Sequence, residues 1–230
     1  MNTVVLPGYN CQDTLEGVIN EIPRDVVDEI IYVDDFSQDN SILVAKSLNI
    51  NHIILHDHNI GYGGSQKTLY TKALSIGADV IIMLHPDYQY DPKLIVEIIS
   101  EFNKGADVVL ASRMMHKREA LSLGMPFYKY FANKFLTTIQ NSLFKQNLSE
   151  YHTGYRAYRA QVLDSIDYDS LSDDFIFDNQ ILLEIIKRKY IIKEIYCPAK
   201  YEENSSSINI KRSIKYGLLV LWYSLVYKIR

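Results

Sequence analysis

The segment Ile81-Ile82-Met83-Leu84-His85-Pro86-Asp87-Tyr88-Gln89-Tyr90-Asp91-Pro92 concentrates groups able to bind a metal ion. Ile81 to Leu84 read as a buried strand. Asp91-Pro92 reads as a helix start, with Asp91 as N-cap and Pro92 at the first helical position. If the chain between them is extended, alternate side chains point the same way, which predicts His85, Asp87 and Gln89 on one side. An imidazole, a carboxylate and an amide oxygen are then available to one divalent cation, and a cation there would neutralise a diphosphate. Open parallel sheets bind ligands beyond the carboxyl ends of their strands, where this segment falls. An ordinary strand-to-helix loop accounts for Asp91 but leaves Asp87 and Gln89 unexplained.

Strands and helices alternate through the first half of the chain. Strands are expected over Val4–Leu6, Glu29–Val33, His52–Leu55, Val80–Leu84 and Val108–Ala111. Between them, Asp13 offers an N-cap with Glu16 three residues on, ahead of Leu15, Val18, Ile19 and Ile22 at helical spacing. Helices are also expected over Ser41–Leu48, over Gln66–Ile76 after a Gly61-Tyr62-Gly63-Gly64 loop, and over Leu94–Phe102. This alternation predicts an α/β fold, a mostly parallel sheet covered by helices on both faces. Farther on, helices are expected over Phe127–Phe144 and Ile176–Lys187, a strand-like patch at Thr153–Tyr158 and a short strand at Ile191–Tyr196. The chain divides into one domain, residues 1–210, and an appended amphipathic helix, 211–230.

Two more polar loops fall at the same sheet edge as Asp87. Pro7-Gly8-Tyr9-Asn10 follows the first strand and Asp34-Asp35-Phe36-Ser37-Gln38-Asp39 the second. Asp35 is suited to accept hydrogen bonds from the ring NH of a base, and Tyr9 to pack on that ring. As plain turn aspartates, they would leave Asp39 to cap the next helix.

The bulk numbers narrow the class. A net charge of −4 argues against general nucleic-acid binding, which shows a basic footprint. Cys11 and Cys197 lie far apart and match no zinc or redox spacing, so they read as reduced thiols of a cytoplasmic protein. No signal peptide precedes Thr3-Val4-Val5-Leu6-Pro7, and no apolar run is long enough to span a bilayer. Lys211 to Arg230 carries Lys211, Arg212, Lys215, Lys228 and Arg230 with no acid, around an almost wholly apolar Gly217–Tyr227. That pattern fits a helix lying at a membrane surface, and equally a terminal helix docked on its own domain.

Taken in order, these motifs resemble glycosyltransferase family 2, of the GT-A fold, and most closely its dolichyl-phosphate mannose synthase branch. Val5-Leu6-Pro7-Gly8-Tyr9-Asn10 resembles the opening Pro-x-Tyr-Asn signature. Val33-Asp34-Asp35-Phe36-Ser37-Gln38-Asp39-Asn40-Ser41 resembles Val-Asp-Asp-Gly-Ser-x-Asp-x-Thr, with Phe36 and Asn40 where glycines are usual. Asn59-Ile60-Gly61-Tyr62-Gly63-Gly64 resembles Asn-x-Gly-x-Gly, and His85 to Pro92 resembles Asp-Ala-Asp-x-Gln-x-x-Pro. Ser112-Arg113 and Thr153-Gly154-Tyr155-Arg156-Ala157 also fit, so the resemblance runs from residue 5 to about 160.

The resemblance implies an inverting, metal-dependent transferase that takes a nucleoside diphosphate sugar, UDP- or GDP-linked. Pro7, Tyr9, Asn10, Asp35 and Gly64 would form the nucleotide site. Asp87 would be the main ligand of a Mn or Mg ion, with Gln89 beside it, and Arg113 and Arg156 would face phosphates. His85 stands where the family has an Asp. Imidazole suits manganese better than magnesium, unless His85 stands behind the ligands. Glu150 replaces the usual Asp upstream of Thr153. Asp173, Asp174 and Asp178 bear on the acceptor: a sugar hydroxyl needs a carboxylate base, which any of the three could supply, with Asp174 singled out, whereas a lipid phosphate needs none. Those acids would equally suit a helix N-terminus. The favoured acceptor is a polyprenyl phosphate at the cytoplasmic membrane face, supported by Arg113, the Lys117-Arg118 pair and the amphipathic C-terminus. The alternatives are a glycan hydroxyl acceptor in polysaccharide synthesis and a non-catalytic nucleotide-sugar binder. A nucleotidyltransferase would carry a basic, glycine-rich loop after the first strand, which Pro7–Gln12 is not.

Overall fold

A computed structural model describes residues 1–122, 124–198 and 210–229, with the side chains of all but 117–119, 210 and 211. The side chains of Lys117, Arg118 and Lys211, and all of Arg230, therefore lie outside the described residues.

The described strands are β1 (Asn2–Gly8), β2 (Glu29–Asp34), β3 (His52–Leu55), β4 (Val80–Met83), β5 (Val108–Ser112), β6 (Arg156–Arg159) and β7 (Ile192–Tyr196). The helices are α1 (Leu15–Glu21), α2 (Ser41–Ser47), α3 (Tyr62–Ser75), α4 (Ile95–Asn103), α5 (Lys117–Ser122), α6 (Phe127–Phe144), α7 (Ala160–Asp164), α8 (Phe177–Lys187) and α9 (Ile210–Ile229). The strands form one sheet in the order β3-β2-β1-β4-β6-β5-β7. Every pairing is parallel except the two made by β6.

Period-two burial explains the layering. Val4 and Leu6 of β1 and Ile82 of β4 face a core shared with Leu15, Ala45 and Ile98, from α1, α2 and α4. Val5, Ile81 and Met83 face the opposite core, with Leu69, Val162 and Ile181 from α3, α7 and α8. A strand buried on both faces reads as a continuous apolar run, as β1, β2 and β4 do. Because β2 and β4 flank β1 on opposite sides, the chain reverses direction across the sheet between β1 and β4. Crevices for ligands open at such a reversal. The loops after β1 and β4, carrying Tyr9 and His85-Pro86-Asp87, border it.

Two helix starts differ from expectation. Thr14, not Asp13, occupies the N-cap of α1. Its hydroxyl bonds back to the Cys11 carbonyl and across to that of Pro86, so contact with the β4 loop sets the start. The glycines 61–64 are not a free loop, since α3 begins at Tyr62. Gly61 has φ 90°, and a Cβ on Gly63 would lie 2.4 Å from the Ser172 carbonyl oxygen. Glycine is thus required for α3 to butt its first turn against residues 172–173. Asp91 does cap as expected, accepting from the Lys93 amide at 2.9 Å with Pro92 following.

The terminal helix α9 docks on the domain by one face. Val220 is fully buried and clusters with Leu136 of α6 and Ile176. Gln140 Nε2 donates to Ser224 Oγ at 3.0 Å. The opposite face is also apolar: Ile214, Leu218, Trp222, Leu225 and Ile229 are each more than half exposed. No described helix is long and apolar enough to cross a membrane.

Candidate active site

The loops after β1 and β2 are latched together by short polar side chains. Asn10 Oδ1 accepts from the Gln38 amide at 2.8 Å, and the Asn10 amide donates to Ser37 Oγ at 2.9 Å. Cys11 and Gln12 donate their amides to Ser41 Oγ and Asp39 Oδ2. Asn10 and Phe36 both take the left-handed conformation, φ 50° and 68°. For Asn this is ordinary; for a phenylalanine it costs roughly 1–2 kcal/mol. The backbone that the glycine of the resembled motif would adopt freely is thus imposed on an aromatic. Tyr9 and Phe36 are exposed beside this latch, at 54% and 47%. Pro7 lies in β1, half-buried behind them.

Asp35 is buried and its carboxylate is fully engaged. Oδ1 accepts from the Ile60 amide at 2.9 Å and contacts His56 Nδ1 at 2.8 Å, while Oδ2 accepts from the Gly61 amide at 3.0 Å. Asp35 therefore orders the entry into α3. Gly64 sits in the first turn of that helix with its amide directed to the Asp173 carbonyl.

The 85–91 segment is not extended. Residues 86–87 turn and Tyr88 has φ 58°, so the alternation expected to align Gln89 with Asp87 and His85 breaks at Tyr88. The Gln89 amide instead closes onto Asp87 Oδ1 at 3.1 Å. His85 and Asp87 remain neighbours: burial lowers the proton affinity of His85, and the charge of Asp87 partly restores it. The His85 ring stacks on Tyr62 at 5.5 Å with planes 7° apart. Its Nε2 lies 3.0 Å from the Tyr62 hydroxyl, which donates onward to Asp178 Oδ2 at 2.8 Å. Burial and Asp178 raise the Tyr62 phenol far above its ordinary range, so it stays protonated. Among the described residues no three His, Cys, Asp or Glu side chains gather into a metal cage. One imidazole and one carboxylate two residues apart in one turn would suit a cation whose remaining positions are filled by ligand oxygens, and an imidazole suits a transition metal better than magnesium.

Arg113 and Arg156 have different surroundings. Arg113 lies against Glu150, donating its amide to Oε2 at 2.9 Å, its Nε to Oε1 at 3.1 Å and Nη2 to Oε1. Glu150 is fully buried; burial opposes its charge, yet Arg113 holds its carboxyl below the ordinary value. Lys129 of α6 has its proton affinity lowered by burial and then by Arg113, so two cations face one region. Arg156 is wholly enclosed, donating to the carbonyls of Thr153 at 2.6 Å, Asp178 at 2.5 Å and Tyr151 at 2.8 Å. A ligand phosphate has no surface access to it in this state.

The acids near α8 are also engaged. Asp178 accepts from Tyr62 and, at 3.0 Å, from Gln66 Nε2. Asp173 pairs with Lys67 at 2.7 Å. Asp174, exposed like Asp173, accepts from the Phe175 amide and lies 3.7 Å from Lys215.

Sequence reasoning passed over Tyr62, Gln66 and Lys129 as site residues. Tyr62 fills a variable position of the Asn-x-Gly-x-Gly motif, so only the packing of α3 on the β4 loop exposes its part. It also missed the outer row of α6, where Phe127, Phe131 and Phe135 are each more than half exposed. Their four-residue spacing was a legible signal.

Residues 3–167 match the family described as Glycosyl transferase family 2. The chain is 27% identical over 239 residues to a UDP-N-acetylglucosamine–dolichyl-phosphate N-acetylglucosaminyltransferase of Methanococcus voltae, covering 95% of this chain and 94% of that one. It is 22% identical over 213 residues to a polyprenol monophosphomannose synthase of Mycolicibacterium smegmatis, covering 90% and 79%. Among solved structures, glucosyl-3-phosphoglycerate synthase from Mycobacterium tuberculosis with bound UDP superposes with a TM-score of 0.75 at 16% identity, over 99% of this chain and 80% of that one. The same enzyme has been solved with Mn2+ and UDP. The architecture is the GT-A fold.

Proposed function

This chain belongs to glycosyl transferase family 2 and is a glycosyltransferase, and on that premise we propose that it moves a sugar, with inversion, from a UDP-linked donor to a polyprenyl phosphate at a membrane surface. The observation that carries the acceptor is the engagement of Asp178. A hydroxyl acceptor needs an available carboxylate base, yet both Asp178 oxygens are taken by Tyr62 and Gln66 and Asp173 is bound by Lys67; of the three candidates Asp174, 3.7 Å from Lys215, is the least engaged and is the base a hydroxyl acceptor would have to use. A phosphate monoester is already ionised and needs an anion site instead. Arg113 and Lys129 supply one, with Glu150 fixing the guanidinium. The M. voltae relative, named for a dolichyl-phosphate acceptor, and the M. smegmatis relative, named for a polyprenol monophosphomannose product, support the same choice.

The nucleotide base would lie against Tyr9 and Phe36 at the β1/β2 edge, with Pro7 behind and Asn10 and Asp35 ordering the loops. Asp87 and His85 would hold a divalent cation, with the backbone amide of Gln89 closing the turn on Asp87. When bound, that cation would offset the charge of the departing diphosphate. Arg156 would act from beneath, fixing the Thr153 and Asp178 backbones. The outer rows of α6 and α9 would rest in the headgroup boundary. Residues 127–145 hold three lysines and no acid, and α9 holds Lys211, Arg212, Lys215 and Lys228 with no acid.

Transfer from labelled UDP-sugars and GDP-sugars to polyprenyl phosphate, to the free polyprenol and to a soluble glycan tests this reading. Product is expected with the phosphate, and Asp87→Asn should reduce it by orders of magnitude. Transfer to the polyprenol or glycan in preference to the phosphate refutes the acceptor. An Asp87→Asn variant at the wild-type rate refutes the site.

A further inference from the structure

His85 differs from a carboxylate in having two unlike nitrogens, and its surroundings choose between them. A neutral imidazole has one N–H donor and one bare acceptor, and the partner of one nitrogen decides the role of the other. Tyr62 has a single hydroxyl proton. That hydroxyl donates to Asp178 Oδ2 at 2.8 Å. The proton is thus directed to Asp178, and the Tyr62 oxygen is left to accept from His85 Nε2 at 3.0 Å.

The far end of this chain is fixed as well. Tyr70 donates to Gln66 Oε1 at 2.6 Å, which turns Gln66 Nε2 toward Asp178 Oδ1 at 3.0 Å. Arg156 holds the Asp178 carbonyl at 2.5 Å. The ring is packed against two aromatics, stacked on Tyr62 and tilted against Tyr90, with centroids 5.5 and 5.7 Å away. A Cβ on Gly154 would come within 2.4 Å of Nε2, so glycine there leaves Nε2 its place against Tyr62. Among the described residues the His85 side chain has no hydrogen bond except at Nε2.

We infer that Tyr62 and Asp178 are positioning residues for cation binding: they hold His85 with its proton on Nε2, so that Nδ1 is the nitrogen offered to the cation. This rests on the assignment of His85 and Asp87 as ligands. It also accounts for a histidine at a position where the resembled motif has aspartate. A carboxylate needs no tautomer to be set, whereas an imidazole needs a partner behind it, and α3 and α8 provide one. Such partners orient metal-binding histidines, and their loss weakens metal affinity by about 10- to 100-fold.

The test uses the full chain labelled with 15N-histidine, free of metal at neutral pH. Long-range proton–nitrogen correlation reads the tautomer, and the His85 signal is identified by its loss in His85→Asn. The wild-type ring is expected to carry its proton on Nε2 alone. Tyr62→Phe keeps the stacked ring and should give mixed tautomers, with Mn2+ binding in the presence of UDP, read by electron paramagnetic resonance, weakened about 10- to 100-fold. His85→Asn, whose amide oxygen occupies the place of Nδ1, should retain more Mn2+ affinity than His85→Gln, whose amide reaches only the place of Nε2. A wild-type ring protonated on Nδ1 overturns the inference without any variant. So does a folded Tyr62→Phe protein with unchanged tautomer and unchanged Mn2+ affinity, or His85→Gln binding Mn2+ better than His85→Asn. Asp87→Asn separates the levels. If it abolishes Mn2+ binding while Tyr62→Phe does not weaken it, only the positioning role falls; if it leaves Mn2+ binding intact, the cation site falls too.

Discussion

Glu150→Gln isolates the buried ion pair that orients Arg113. The Glu150 carboxylate is fully buried and accepts from the Arg113 amide, Nε and Nη2, and from Asn133 Nδ2 at 2.7 Å. Glutamine keeps the shape but turns an NH2 toward these donors and removes the negative charge paired with the largely buried guanidinium. Breaking one side of such a pair costs about 3–5 kcal/mol. For a chain of this size each kcal/mol moves the melting midpoint by about 2–4 °C, so a fall of roughly 6–20 °C is expected. The effect has a pH signature. Glu150 is held below its ordinary value of 4.5, so the pair stabilises the fold fully above that value and is lost as pH falls through the folded-state value. The difference between wild type and variant in urea unfolding should be complete at neutral pH and close in acid. Arg113→Gln combined with Glu150→Gln should cost less than the two single changes summed. A Glu150→Gln penalty below about 1 kcal/mol, or one that does not shrink in acid, refutes the assignment of a buried charged pair.

Three further outcomes follow from single features. Burial pushes His152 down to about 4 from 6.5, so the unfolded chain takes up the proton first and stability falls as pH drops between these values, by about 3 kcal/mol in all; His152→Gln should flatten that window of the pH–stability profile. Phe36→Gly removes a left-handed penalty of about 1 kcal/mol, partly offset by glycine's chain entropy, so the variant should be no less stable by urea unfolding yet bind UDP more weakly by calorimetry. Phe131→Glu with Trp222→Glu alters exposed positions only, and should lower sedimentation with anionic vesicles while the melting midpoint stays within a few degrees; undiminished vesicle binding would move the membrane contact elsewhere.

The amino-acid sequence by itself determined the layered α/β fold. The apolar runs of β1, β2 and β4, separated by helical periodicity, admit only strands buried on both faces, and that burial requires helices above and below. It also placed Tyr9, Asp35 and Asp87 at one sheet edge, because each follows a strand of the parallel part of the sheet. It left undetermined what each polar group does there, since that depends on contacts between residues far apart in the chain. Side-chain alternation places Gln89 with Asp87 only if the backbone is extended, and the left-handed Tyr88 breaks it. The glycines 61–64 read as loop residues, yet the approach of residues 172–173 makes them the start of α3. Arg156 reads as a phosphate ligand and Asp178 as a base. Packing of α3 and α8 instead encloses both, because a buried charge or polar group must be paired wherever the fold puts it. Tyr62 and Asp178 are 116 positions apart, and only the tertiary structure brings them to one hydrogen bond behind His85.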